Sequence, residues 1–118
     1  MKDINKVILV GRLGDDPSFK EFESGVRVAN FPVATSKKYK KTNQSSNEVF
    51  LHEETEWHRI VTWGRYADSC VKYLKKGQPV YIEGSLKTRN ATDKEGNKKY
   101  FVEIHANEIS FLPSTQSA

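Results

Sequence analysis

The chain has 118 residues, of which 36% are hydrophobic, so it can form one small hydrophobic core but not two. Lys and Arg number 19 against 15 Asp and Glu, and the resulting net charge of +4 does not by itself identify a nucleic-acid binder. Cys70 is the only cysteine, which excludes an intrachain disulfide and favours a reducing, cytoplasmic location. The apolar run at residues 7–10 is too short for a signal peptide or a membrane span, so we expect no membrane association.

Apolar runs and turn residues predict the first elements. Residues 7–10 form a buried strand that bends at the following glycines and ends in a turn. A second strand covers residues 26–34, where Pro32 indicates an edge or a bulge. Residues 37–54 then read as a polar loop, lysine-rich first and acidic later, whose unusual length predicts a binding loop or a mobile one.

The second half of the chain combines a helix with two more strands. A third strand, at residues 56–63, precedes a helix at residues 66–76, and Gly77 is its predicted stop. Four residues have the spacing of a buried helix face: Ala67, Cys70, Val71 and Leu74. A fourth strand covers residues 80–86, a turn covers residues 93–97, and a fifth strand runs from residue 100 through 106 towards Phe111.

This order of elements predicts an all-β fold, a five-stranded Greek-key OB-fold barrel with one helix between strands 3 and 4. Such barrels bind oligonucleotides with an exposed sheet face and long loops. We expect residues 1–112 to form this single domain and residues 113–118 to form a short C-terminal tail.

The third strand contains both tryptophans of the chain. Strand alternation places Trp57, Arg59, Val61 and Trp63 on one face, with a guanidinium between the two indoles. At about 3.3 Å per residue the indoles are roughly 20 Å apart, a spacing that suits a few stacked nucleotides. The alternative is that both indoles fill the barrel core.

Six segments, in the same order, resemble the bacterial-type single-stranded DNA-binding proteins, which are homotetrameric OB-fold proteins that coat single strands in replication, recombination and repair. A set of ordered segments is far more specific than any single motif. The matching segments are Asn5-Lys6-Val7-Ile8-Leu9-Val10-Gly11, Val28-Ala29-Asn30, Ala34-Thr35-Ser36, Thr55-Glu56-Trp57-His58-Arg59, Tyr73-Leu74-Lys75-Lys76-Gly77 and Tyr81-Ile82-Glu83-Gly84.

The resemblance implies roles for individual residues. Trp57, Trp63 and Tyr39 match the family's base-stacking positions, although Tyr39 without the resemblance is better interpreted as an ordinary exposed loop aromatic. Further positions match basic residues that would contact phosphates without reading sequence: Arg59, Arg65, Lys40, Lys76, Lys87 and Arg89, with Arg12 joining them from the first strand.

The same resemblance implies a homotetramer. Binding by stacking and phosphate contacts requires no cofactor, and the histidines and Cys70 lack metal-ligand spacing, so we expect neither a cofactor nor a metal. His58, which alternates away from Trp57, and Tyr81 would lie at subunit interfaces. His58 considered without the resemblance is an ordinary strand histidine.

The chain departs from the family pattern at two places. The family often has a further tryptophan where this chain has Ala91, so we expect one stacking platform fewer and weaker binding per nucleotide. Family members usually end in an acidic tip that recruits other proteins, whereas this sequence ends Pro113-Ser114-Thr115-Gln116-Ser117-Ala118. We therefore expect no recruitment through such a tip. A truncated chain and a naturally short member, of phage or plasmid origin, both remain open.

Other functions fit the sequence less well. The six-residue separation of His52 and His58 does not match the helical zinc motif of metalloproteases, and no phosphate loop or nucleophile elbow is present, so we predict that the protein is not an enzyme. The main alternative is an OB-fold primosome-type accessory protein that acts mainly as a protein interaction module. The paired tryptophans and flanking basic segments favour DNA coating.

Overall fold

The computed structural model describes residues 2–113, which contain six strands and one helix. In chain order the elements are β1 (Val7–Leu13), β2 (Ser18–Glu21), β3 (Arg27–Thr42), β4 (Val49–Trp63), α1 (Gly64–Tyr73), β5 (Pro79–Thr92) and β6 (Lys98–Phe111). No helix in this part of the chain is long and apolar enough to span a membrane. Of the predicted tail, only Pro113 lies within the described residues.

The strand pairings form a closed circuit. The sheet order is β1-β5-β6-β4-β3-β2, and an additional β1–β3 pairing joins the ends of a five-stranded ring that leaves β2 outside on β3. Two of the junctions are short: β1 pairs with β3 only at Arg12 and Leu13, and β4 pairs with β6 in parallel only at Ile60 and Val61. The ring is therefore a partly open barrel, which confirms the predicted OB-fold class.

The strand β2 was missing from the sequence prediction. Its four residues, Ser18–Glu21, are all exposed, and they pair with β3 on one side. A short exposed edge strand has no buried face to create a period-two pattern, so its sequence resembles a loop. Pro32 lies between the part of β3 that pairs with β2 and the part that pairs with β1, in agreement with the predicted edge position.

The interior of the barrel is apolar and closely filled. Its largest fully buried side chains, each under 2% exposed, include Phe31, Ile60 and Ile82. Ala67 and Cys70 on α1, and Leu74 directly after it, pack in this core, as predicted from their spacing. Val71 was predicted to face the core as well, but it is 43% exposed.

The helix boundaries differ from the predicted range of 66–76. The helix begins at Gly64 and ends at Tyr73, because Leu74 is already extended (φ −90°, ψ 142°) while its side chain stays in the core. Gly77 lies three residues after Leu74, in the left-handed region (φ 89°), and its N–H donates to the carbonyl oxygen of Leu13 over 2.8 Å. The glycine therefore turns the chain back towards β1 rather than ending the helix.

The prediction of a loop at residues 37–54 is wrong. β3 and β4 pair continuously from Val28↔Trp63 to Thr42↔Val49, so most of this segment is a long antiparallel hairpin whose turn is residues 43–48. We call residues 37–54 the β3–β4 arm. β5 and β6 form a second long hairpin, with its turn at the predicted residues 93–97.

Candidate nucleic-acid interface

The two tryptophans lie on the outer face of β4. Trp57 and Trp63 are 61% and 40% exposed, Arg59 between them is exposed, and Val61 is buried. The register with β3 gives Trp57, Arg59 and Val61 the same face, as predicted from alternation. Both indoles are therefore on the surface, and the alternative that they fill the barrel core is wrong. Exposed indoles are suitable platforms for stacking against planar rings.

Trp57 and Arg59 border a cavity of about 340 Å³ on the barrel surface. Its lining also includes Asn30 and Pro32 on β3. The turn after β1 supports the indole from one side, since a β-carbon at Gly14 would overlap the six-membered ring of Trp57. A glycine at this position thus permits the backbone to approach the ring face closely.

Trp63 belongs to a separate cluster with residues of β5 and β6. The imidazole of His105 meets the indole edge-on, with ring centroids 4.7 Å apart and planes at 74°. His105 Nε2 lies 3.1 Å from Glu103 Oε1, and Arg89 Nε lies 3.4 Å from Glu103 Oε2. The predicted residues Trp63 and Arg89 are therefore connected through Glu103 and His105, which the sequence analysis did not select.

Tyr39 lies on the β3–β4 arm and faces the opposite side from Trp57. It pairs with His52, whereas Trp57 pairs with Ala34, so the two aromatic residues alternate to different faces of the hairpin. The hydroxyl of Tyr39 donates to Glu54 Oε1 over 2.8 Å, and this hydrogen bond raises the pKa of the tyrosine. The structure does not place Tyr39 beside the two tryptophans.

The predicted basic residues are all exposed, but they are distributed over several surfaces. Lys40 is on the Trp57 face of the arm, opposite Leu51, and Lys87 is opposite Glu103 on the face of β5 that also presents Arg89. Arg12 Nη1 donates to the carbonyl oxygen of Gly77 over 3.3 Å. Arg65 lies on α1, and Lys76 follows the helix.

The two predicted interface residues lie on different parts of the barrel. His58 is half-buried, faces away from Trp57, and shares a hydrogen bond of 2.8 Å between its Nε2 and Thr35 Oγ1. Tyr81 is half-buried on the outer face of β5 beside Glu83, and partial burial, followed by a hydrogen bond to Glu83, raises its pKa.

Sequence reasoning missed three contributors to the site. Gly14 was assigned only to a turn, and His105 and Glu103 only to a strand. The single available signal was their alternation, which gives Glu103 and His105 a common face of β6. Nothing in the local sequence indicated that this face meets Trp63, because β4 and β6 are far apart in the chain.

The fold and this surface define the class of protein: an OB-fold barrel that carries exposed aromatic and basic side chains on its outer face. The single-strand binding protein family model matches residues 4–112, and the chain belongs to this family. Members of this family are DNA-binding proteins and not enzymes.

Individual relatives agree with this assignment. The chain is 50% identical over 117 residues to "Single-stranded DNA-binding protein 1" of Chlorobaculum tepidum, with 98% of this chain and 69% of that protein covered. It is 41% identical over 116 residues to "Single-stranded DNA-binding protein 1" of Xylella fastidiosa, with 98% of this chain and 82% of that protein covered. The structure titled "Plasmodium falciparum SSB complex with ssDNA" superposes with a TM-score of 0.81 at 36% identity, covering 96% of this chain and 98% of that one.

Proposed function

We propose that this protein binds and protects single-stranded DNA without sequence preference in replication, recombination and repair in the bacterial cytoplasm. The observation that carries the proposal is the pair of exposed indoles on the outer face of β4, with the Arg59 guanidinium between them. Family membership, and the relatives whose names specify single-stranded DNA, give independent support.

Binding combines two kinds of contact. Bases stack on Trp57 and Trp63 on the outer face of β4, and on Tyr39 on the opposite face of the β3–β4 arm. Each stacked base contributes about 1–3 kcal/mol regardless of its identity. Exposed Lys and Arg side chains neutralise phosphates and release counterions, so affinity falls steeply as salt rises. Since no hydrogen bond to a base edge is required, this mechanism gives little sequence preference.

Titration of the intrinsic tryptophan fluorescence with oligo-dT tests the proposal, with a duplex of equal length as comparison, at low and moderate salt. The chain has two tryptophans and both lie on the proposed surface, so stacking produces deep quenching by the single strand alone. Absence of quenching, or an equal response to the duplex, would contradict the proposal and favour the protein interaction module.

Single substitutions determine how much each tryptophan contributes to the affinity for oligo-dT. Trp57→Ala and Trp63→Ala each weaken binding by about 1–3 kcal/mol, the usual cost of losing one stacked base. Val71→Ala is the matched control, because Val71 is 43% exposed on the helix and is neither a predicted stacking residue nor a predicted phosphate contact. A loss of affinity in the control as large as in the tryptophan variants would show that the effect is not specific to the indoles.

We also propose that the protein assembles as a homotetramer. The outer face of β1 presents Ile8 and Val10, which are 56% and 59% exposed, next to Tyr81 on β5. One edge of β1 is paired with β5, while among the described residues its other edge pairs only at Arg12 and Leu13. An apolar strand with an open edge is a natural surface for association with another copy.

Light scattering at micromolar concentration measures the assembly. A mass of four chains supports the proposal, and a monomeric mass contradicts it. Val10→Lys places a charge in the apolar face and lowers the mass, whereas Val71→Lys, at an exposed valine on α1, leaves it unchanged. His58 and Tyr81 are the further positions at which we expect substitutions to alter the mass.

A further inference from the structure

Glu103 is a buried carboxylate on a surface that is otherwise basic and aromatic. It is 7% exposed, and its two oxygens face different partners, with Oε1 near His105 and Oε2 near Arg89. Burying a charged group is costly unless it is paired and hydrogen-bonded. The two basic partners, on β5 and β6, provide that compensation.

Each partner of Glu103 also contacts an aromatic ring. The Arg89 guanidinium lies 5.5 Å from the ring centroid of Phe101, so it is held between a carboxylate and an aromatic face. His105 meets the indole of Trp63 edge-on. One carboxylate thus fixes a guanidinium and, through the imidazole, an indole that is 40% exposed.

We propose that Glu103 and His105 are positioning residues that hold Trp63 and Arg89 in the orientation that engages a single strand. This inference rests on the proposed function, since Trp63 and Arg89 are the groups that contact the nucleic acid. Glu103 and His105 act through these two side chains. Preorganisation of this kind improves affinity because less side-chain freedom is lost on binding.

Electrostatics and positioning predict opposite signs for Glu103→Gln. Removing a negative charge from a DNA-binding surface increases attraction for phosphates, so electrostatics alone predicts tighter binding. Positioning predicts weaker binding, because the neutral amide no longer holds Arg89 by charge. We expect affinity for oligo-dT to fall roughly fivefold, within the range of coupling energies between contacting residues.

Glu56→Gln is the matched control. Glu56 is an exposed carboxylate next to Trp57 in the chain, so its replacement changes the net charge equally. We expect unchanged or tighter binding for this variant. Tighter binding by Glu103→Gln, similar to the control, would overturn the proposal.

A double-mutant cycle determines whether Glu103 acts through the indole. In a Trp63→Ala background, Glu103→Gln has a smaller effect, since one of the groups it positions is absent. An undiminished effect in that background would contradict the link to Trp63. Thermal unfolding of each variant identifies global destabilisation, and His105→Gln tests the same link at a half-buried position if Glu103→Gln does not fold.

A spectroscopic test requires no DNA. In a Trp57→Phe variant Trp63 is the only indole, so its emission reports the edge-on contact with His105. His105→Gln removes the imidazole and Glu103→Gln removes its carboxylate partner, so each substitution should change the emission of Trp63. An emission spectrum unaltered by either substitution would contradict the contact.

The two kinds of test separate this inference from the proposed function. If the unsubstituted protein fails to bind oligo-dT while the emission of Trp63 responds to both substitutions, the cluster exists but the proposed function fails. If the unsubstituted protein binds oligo-dT and the Glu103→Gln variant binds it with the same affinity, the proposed function stands and the positioning role is overturned.

Discussion

Trp57 depends on a neighbour that has no side chain. The indole packs on the backbone at Gly14, where a β-carbon would overlap the ring. This contact supports the ring on one side, and Trp57 nevertheless remains 61% exposed. An exposed ring held by such a contact loses less side-chain freedom when a base stacks on it.

We predict that Gly14→Ala weakens single-strand binding by displacing this indole. The loss should not exceed the contribution of one stacked base, about 1–3 kcal/mol. Quenching of Trp57 fluorescence by oligo-dT, measured in a Trp63→Phe background, reports the change. In a Trp57→Ala background the same substitution should cost little; an equal loss there would show that Gly14 acts through the fold and not through the ring.

The parts of the site that were predictable from sequence are those encoded within one strand. Alternation along β4 gives Trp57, Arg59 and Trp63 a common face, and the structure confirms it. The supports of the two indoles come instead from the turn after β1 and from β6. Such contacts depend on how the barrel closes, so no local pattern predicts them. The nucleic-acid contacts of these residues stay predictions.

At the scale of elements, the β3–β4 arm shows why a charged segment can be a strand. The order of lysines first and glutamates later suggested a solvated loop, but antiparallel pairing brings the two groups together. Lys37 lies opposite Glu54, and Lys38 lies opposite Glu53. Opposite charges across a hairpin stabilise it, so this sequence pattern is typical of a hairpin as much as of a loop.

We predict that reversing the first two charges loosens the arm. The double variant Lys37→Glu/Lys38→Glu places like charges opposite each other, at a cost of about 0.2–1 kcal/mol per pair. Hydrogen exchange of the arm amides should accelerate while the barrel amides are unaffected. Lys40→Glu/Lys41→Glu is the control, because these lysines face Leu51 and Phe50. Equal acceleration in both variants would contradict a cross-strand origin.

The β5–β6 hairpin offers a position for one more aromatic side chain on which a base could stack. Ala91 pairs with Lys99 and alternates to the same face as Arg89 and Phe101. We predict that Ala91→Trp increases affinity for oligo-dT by up to about 1–3 kcal/mol, the contribution of one stacked base. Asn90→Trp adds the same indole on the opposite face and should give a smaller gain. No gain from Ala91→Trp would contradict the prediction that this position limits binding.

At the scale of the whole molecule, the class of barrel was predictable from the sequence, but the exposed strand β2 and the length of the two hairpins were not. The order of strands and helix along the chain predicted the five-stranded ring, because apolar strands and a single amphipathic helix have distinct periodicities. The exposed strand β2 and the extended hairpins lack a buried face over most of their length. Their pairing is determined by neighbouring strands, which explains why local patterns failed there.

The lone cysteine makes the stability of the whole barrel sensitive to alkaline pH. Cys70 lies on the face of α1 that packs in the core and is fully buried. This burial raises the pKa of its thiol to about 12. In the unfolded chain the thiol ionises near its ordinary value of about 8.5. The unfolded state therefore loses this proton first as pH rises, while the folded state keeps it.

We predict that this difference lowers the free energy of unfolding between about pH 9 and pH 12, by roughly 1.4 kcal/mol per pH unit from this group alone. Denaturant titrations at increasing pH measure the slope. Because tyrosines and lysines titrate in the same range, the comparison must be with Cys70→Ala, which removes only the thiol. The slope of this variant should be shallower than that of the unsubstituted chain. Equal slopes would mean that the thiol reaches solvent through local opening of α1 before the barrel unfolds.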